Sequence, residues 1–235
     1  MEEADKQKTA FIQNVSHQIR TPLNIILGFA QVLRNSLASR SDGTKDALPK
    51  EELVGITNMM KHNSIHLNRM VLMLFDSSDI GTFEESQASR TEHISCNEIA
   101  RECIDFTLAM FPNLPIRFET VFPDDFRIYT NHLFLMRTIR ELLYNSAKYS
   151  DGKHLALRIS QTESTVQFIV EDVGPGLPKE SLDFIFKPFS KTDDLTEGLG
   201  LGLPLSKRHA INLGGDLIFD SDYHDGCRFI LEMPK

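Results

Sequence analysis

The chain has 235 residues, 41% of them hydrophobic and 25% charged, with a formal net charge of −8. That composition excludes a disordered polymer and leaves room for two domains. The acidic balance argues against a nucleic-acid binder.

The longest apolar stretches, 23–30 and 70–75, fall far short of the ~20 residues that a membrane-spanning helix needs. Residues 1–8 are charged and lack the apolar core of a signal peptide. The segment is therefore expected to make no membrane contact of its own and to be a soluble cytoplasmic core of a larger sensor, with any anchor outside it. Cys96, Cys103 and Cys227 form no CxxC pair and read as reduced, partly buried thiols.

Residues 1–82 carry a helical period. Val15, Ile19, Pro22, Ile26, Phe29 and Leu33 recur at four-three spacing, and Leu53, Ile56, Met60, Leu67, Met70 and Leu74 repeat the pattern. Such seams belong to coiled-coil-like helices. The polar stretch 39–50, with Gly43 and Pro49, reads as the turn of a hairpin. Two amphipathic helices cannot bury both seams alone, so a homodimer forming a four-helix bundle is expected.

His17 lies two residues from both Val15 and Ile19, which places it about 200° around the helix from the seam. It shares a polar stripe with Gln13, Arg20, Asn24 and Gln31, so its imidazole is expected at the surface. Pro22 withdraws the backbone donor for the Gln18 carbonyl, and a bend is expected just after the histidine. An unperturbed imidazole, pKa ~6.5, is mostly neutral at pH 7 and keeps a lone pair for phosphorus. Taken alone, the stretch fits an ordinary surface histidine equally well.

From about residue 86 the period changes. Leu155, Leu157 and Ile159 alternate with polar or small residues, as do Val166, Phe168 and Val170, with a turn between the two runs. Helical segments are predicted over 97–110, 132–149 and 200–213, and a closing strand pair over 216–220 and 227–233. The fold class is thus α+β: a helical hairpin over 1–82, then helices packed on one face of a mixed sheet over 83–235.

Three clusters in the second region bear on chemistry. Glu141, Asn145 and Lys148 share one face of the helix over 132–149, opposite Leu135, Ile139, Leu142 and Ser146. That face is either a solvated polar stripe or a site where the Asn145 amide oxygen completes the shell of a phosphate-bound Mg²⁺. Next, Glu171-Asp172-Val173-Gly174-Pro175-Gly176 runs from a strand into a glycine turn. It is a plain turn, or a place where Asp172 accepts a hydrogen bond from a base amine.

Third, Glu197-Gly198-Leu199-Gly200-Leu201-Gly202-Leu203-Pro204 opens a helix that closes at Gly214-Gly215. A glycine loop feeding a helix N-terminus suits phosphates. Its spacing fits neither a dinucleotide fingerprint nor a P-loop. The roughly twenty residues between the second and third clusters include Phe186-Lys187-Pro188-Phe189 and form a candidate lid, with Lys187 or Lys191 in position to meet a γ-phosphate.

In this order the motifs resemble those of the sensor histidine kinases of two-component systems. SHQIRTPL is similar to the family's H box, ELLYNSAKY to its asparagine box, EDVGPGLP and GLGLGLPL to its two glycine boxes, and FKPF to its phenylalanine box. The resemblance implies a dimerisation and phosphoacceptor hairpin followed by an ATP-binding domain of the gyrase/Hsp90/kinase/MutL type, with ATP and Mg²⁺ as cofactors. It implies that His17 accepts the phosphoryl group, Asn145 binds Mg²⁺ and Asp172 reads the adenine amine. Gly174 and Gly176 would shape the pocket, while Gly198, Gly200, Gly202 and Leu203 close over the phosphates. Lys148 would approach a phosphate and Tyr149 would flank the nucleotide. It further implies transfer from His17 to an aspartate of a response-regulator receiver domain, and a role for Thr21 in dephosphorylating that regulator.

Two positions depart from the family. Gln18 stands where a carboxylate usually follows the histidine. Glutamine accepts a hydrogen bond but cannot take the imidazole proton. Glu141 stands where these kinases usually carry asparagine, and related ATPases use a glutamate at this offset to activate water. The expected function is a histidine autokinase. The alternatives are a conformational ATPase driven by Glu141 and a weakly catalytic ATP-binding scaffold.

Overall fold

The computed structural model describes residues 2–41, 48–78, 91–150, 154–188 and 199–235. The chain divides into two compact units, one centred on Met1–Asp76 and the other on Ser77–Thr196 and Gly200–Lys235. Residues 42–47 of the expected hairpin turn, residues 189–196 of the candidate lid, Phe189 and Lys191 among them, and Gly198 lie outside the described residues.

The first unit is a pair of helices, α1 (Glu2–Ser41) and α2 (Lys50–Ser78). α1 continues through Pro22 as one helix. One residue before the proline, the Thr21 hydroxyl donates to the His17 carbonyl at 3.3 Å. α2 begins behind Pro49, whose carbonyl accepts from the Leu53 N–H at 3.1 Å. Glu51 and Glu52 occupy its first turn, where the helix dipole favours negative charge.

The predicted seam is the inward side of both helices. Pro22 and Met70 are buried, and the other seam residues are half-buried. Leu23, Leu27, Val54, Met59, Leu72 and Phe75 remain exposed.

The second unit contains β1 (Glu92–Ser95), α3 (Cys96–Met110), β2 (Ile116–Thr120), β3 (Arg127–Thr130), α4 (His132–Tyr149), β4 (Leu155–Gln161) and β5 (Thr165–Asp172). A 3-10 turn (Lys179–Ser181), α5 (Gly202–Asn212), β6 (Asp216–Phe219) and β7 (Arg228–Pro234) complete it. The main sheet has the order β2-β4-β5-β7-β6. β2 pairs parallel with β4, and the remaining pairs are antiparallel. β1 and β3 form a separate antiparallel ribbon. β1, β2 and β3, of four or five residues each, are not among the strands predicted from the sequence.

Helix ends follow local chemistry. The Ser95 hydroxyl caps α3 by accepting from the Glu98 N–H, and the Asn131 side chain caps α4 by accepting from Phe134. α5 starts two residues later than the sequence pattern suggested. It stops in a Schellman arrangement: Gly214 is left-handed at φ 79°, its N–H bonds the Ile211 carbonyl, and the Gly215 N–H bonds that of Ala210.

One core joins the three helices to one face of the sheet. Ile99, Leu135, Ile139 and Leu142 of α3 and α4 meet Leu157, Phe168, Val170 and Leu231 of the strands. The opposite face carries an ion-pair ladder. Glu119, Arg158, Glu171, Arg228 and Asp220 follow one another across the sheet, with contacts of 2.9, 3.0, 3.1 and 3.0 Å. All three cysteines are free, and burial pushes each thiol up to about 12.

His209 of α5 stacks on Phe134 with ring centroids 4.7 Å apart and is 3% exposed. Burial, reinforced by the positive charges of Arg137 and Arg208, pushes its imidazole down to about 3. An unfolded histidine titrates near 6.5, so only the unfolded chain takes up this proton between pH 6.5 and pH 3. The site is neutral to stability above pH 6.5 and destabilises the fold progressively as pH falls below it. Between pH 7 and pH 5 the expected loss is about 2 kcal/mol. Denaturant melts of wild type and His209→Phe at both pH values check this; a pH dependence unchanged by the substitution contradicts it.

Candidate active site

α4 presents its catalytic candidates from the side that faces away from the central core. Leu135, Ile139 and Leu142 are fully buried, as predicted. Of the two readings of the stripe, burial disfavours the solvated one at Glu141, which is only 7% exposed. The reason lies sixty residues on. α5 begins at Gly202 directly against Glu141, so closely that a Cβ there would collide with Oε1.

Asn145, one turn further along α4, donates its Nδ2 to Glu141 Oε1 at 3.1 Å. Lys148 and Asn145 are half-buried, while Tyr149 is 42% exposed, with the Lys148 ammonium 5.3 Å from its ring centre.

Asp172 ends β5 on the inward side of the sheet and is 3% exposed. Its Oδ1 accepts from the Cys227 N–H at 3.0 Å, and its backbone N–H donates to the Cys227 carbonyl at 2.9 Å. The Tyr223 hydroxyl donates to its carbonyl at 3.1 Å. Burial pushes the carboxyl above its ordinary range, against the opposing pull of the Cys227 amide and the nearby Ser146 hydroxyl. That hydroxyl and the one on Ser150 are buried and make no hydrogen bond of their own among the described residues. Buried polar groups with unspent bonding capacity beside a carboxylate fit a polar, planar ligand such as a nucleobase.

The glycines do different jobs. At Gly174 a Cβ would crowd Asp172 Oδ1 and the Tyr149 carbonyl, both at 3.1 Å, so the turn closes tightly over the end of α4. Gly176 and Gly200 adopt left-handed φ values of 70° and 65°. Gly202 is the first residue of α5, whose N-terminus has no side-chain cap. That N-terminus lies against the Glu141 side chain. Leu203 packs on the core.

Sequence reasoning missed the residues that hold Asp172. Gly226 comes so close that a Cβ would collide with the Asp172 carbonyl and stand 2.6 Å from its Oδ1 and from the Gly174 nitrogen. Its only sequence signal is an Asp-Gly pair in the loop between the last two strands. Ser146 and Cys227 gave none.

His17 sits on α1 with an exposed side chain, in company with exposed Gln13, Arg20, Asn24 and Gln31. The polar stripe is therefore real. Gln18 and Ile19 are half-buried at its border, and Thr21 is exposed. Among the described residues no group of three or more His, Cys, Asp or Glu side chains could cage a metal. Any cation here must be carried largely by phosphates and water, the habit of Mg²⁺.

Comparison with known proteins covers both units. Residues 7–82 match the His Kinase A (phospho-acceptor) domain, and residues 130–235 match the histidine kinase-, DNA gyrase B-, and HSP90-like ATPase domain. Over 237 residues the chain is 28% identical to the aerobic respiration control sensor protein ArcB of Escherichia coli (strain K12), spanning 98% of this chain and 29% of that protein. It is 27% identical to hybrid signal transduction histidine kinase B of Dictyostelium discoideum over 99% of this chain and 12% of that protein. The chain thus spans less than a third of these curated relatives.

Among solved structures, full-length ShkA in complex with AMPPNP aligns with a TM-score of 0.62 at 25% identity, covering 93% of this chain and 44% of that one. The catalytic domain of histidine kinase ThkA aligns with a TM-score of 0.56 at 24% identity, covering 62% of this chain and 98% of that domain, a likeness of fold. With a phospho-acceptor helix pair ahead of an ATPase-type α+β domain, the chain belongs to the sensor histidine kinases and is their catalytic core.

Proposed function

We propose that this core, over residues 1–82 and 83–235, transfers the γ-phosphoryl group of ATP to His17 and passes it on to a response-regulator aspartate. The observation that carries the reading is an exposed imidazole on the polar stripe of α1, in a chain whose second unit holds a buried, amide-anchored carboxylate at Asp172. The adenine amine would donate to Asp172, with Ser146 beside it. The phosphates would lie at the N-terminus of α5 near Gly200 and Gly202, where free N–H groups and the helix dipole favour negative charge. Asn145 Oδ1 would help to hold Mg²⁺, which when bound neutralises charge on the phosphate oxygens.

In the transfer a ring nitrogen of His17 donates its lone pair to Pγ, and the bond from Pγ to the β–γ bridging oxygen breaks. ADP leaves with that electron pair, and the phospho-imidazolium so formed gives its remaining ring proton to water, because Gln18 cannot take it. Thr21 is exposed one turn on from His17 and is in place to orient water when the regulator is dephosphorylated. The half-buried seam, together with exposed Leu23, Leu27, Leu72 and Phe75, supports pairing of two hairpins into a four-helix bundle. Among the described residues no helix is long and apolar enough to cross a membrane.

The test uses γ-labelled ATP with Mg²⁺. Protein-bound label should be acid-labile and alkali-stable, as a phosphoramidate is, and should vanish in His17→Ala. Acid-stable label, or label that survives His17→Ala, overturns the proposal. Phosphate release from unlabelled protein would point instead to hydrolysis assisted by Glu141.

A further inference from the structure

Asn145 has two ends of nearly equal size, an oxygen that can face a cation and an NH₂ that cannot. What decides between them is the hydrogen-bond network around the amide. Here the neighbour is a carboxylate one helical turn earlier. Glu141 Oε1 accepts from Asn145 Nδ2 at 3.1 Å, and an ionised carboxylate only accepts. The NH₂ must therefore point to Glu141. Among the described residues, Asn145 Oδ1 accepts no hydrogen bond and is left for another partner.

The carboxylate is enclosed rather than solvated: it is 7% exposed and lies against the backbone of Gly202, where a methyl group would collide with Oε1 and come within 2.6 Å of Cδ. An enclosed acceptor thus favours one setting of a side chain that otherwise has two equivalent ones.

We propose that Glu141 is a positioning residue that locks the Asn145 amide with Oδ1 toward the cation accompanying the nucleotide. The inference rests on Asn145 being the Mg²⁺ ligand. It carries a second consequence. The same negative charge, next to the first turn of α5, repels phosphates that arrive without their cation, so Glu141 makes binding selective for the Mg²⁺-loaded nucleotide. Packing against Gly202 alone would produce neither effect.

Binding of a non-hydrolysable ATP analogue to the full chain, in EDTA and in Mg²⁺, separates the possibilities. In Glu141→Gln the amide at 141 can donate or accept, so Asn145 populates both settings. The Mg²⁺-dependent gain in affinity should then fall by about twofold or more, as expected when half the molecules are competent, while affinity in EDTA rises. Adding Asn145→Asp, whose two oxygens make orientation irrelevant, should restore the gain to the double variant. In nucleotide-free protein, the Asn145 side-chain NH₂ protons should exchange slowly in wild type and faster in Glu141→Gln.

An unchanged Mg²⁺ gain in Glu141→Gln overturns the proposal, and so does an equal loss of affinity with and without Mg²⁺, the mark of a packing role. If Asn145→Ala leaves the Mg²⁺ gain intact, the assignment of Asn145 fails first and the proposal falls with it.

Discussion

Gly226→Ala is expected to weaken nucleotide binding by about 70-fold or more while leaving the helical unit intact. The added methyl would collide with the Asp172 carbonyl and crowd Oδ1 and the Gly174 nitrogen. Both can yield only by opening the joint between β5 and β7, where the Cys227 and Asp172 backbones bond to each other. Overpacking of this kind costs about 1–3 kcal/mol. Losing the Cys227 N–H from a buried carboxylate costs about 1.5–3 kcal/mol more. Even the low end of the sum approaches two decades in affinity. Titration with a fluorescent nucleotide checks it, beside a thermal melt to show that the domain is folded. A folded Gly226→Ala protein that binds within threefold of wild type would mean that Asp172 does not read the base.

The second large effect concerns the step after binding. Gln18→Glu is expected to raise the initial rate of autophosphorylation by about tenfold or more, since a positioned general base typically contributes 10²–10⁴-fold. Gln18 is half-buried next to the exposed His17, so a glutamate there is one residue from the imidazole and partly shielded from water. It can both orient the ring and accept its proton as phosphorus arrives. Quench-flow with labelled ATP at saturating nucleotide isolates this step from binding. If the rate in Gln18→Glu equals that of wild type, proton removal is not what limits transfer.

Both predictions show which features were legible before any coordinates. The exposed setting of His17 follows from the angle between residue 17 and the seam of α1, a purely local property of a helix. The alternation of β4 and β5, the strand-end position of Asp172 and the Gly214-Gly215 helix stop are local in the same sense. So is the inward placement of Leu135, Ile139 and Leu142, because one helix carries its own apolar face in its residue order.

The rest depended on partners far along the chain. Whether Glu141 faces solvent or a site stayed open because nothing near it in sequence covers it; the start of α5 does. Gly226 looked like a loop residue until β7 was seen to enter the sheet between β5 and β6. The strands β1, β2 and β3 are defined by pairing with segments distant in sequence, β3 with β1 and β2 with β4.

The sequence by itself determined which faces of each element are apolar, where His17 and Asp172 stand on their elements, and the order of the motifs. Only the tertiary structure decided what lies against those faces: the backbone at Gly202 against Glu141, the loop at Gly226 and Cys227 around Asp172, the hydroxyl of Ser146 beside it. Periodicity is set by the geometry of a single backbone, whereas the burial of a charge or the crowding of a glycine is set by a second segment whose approach no local pattern encodes.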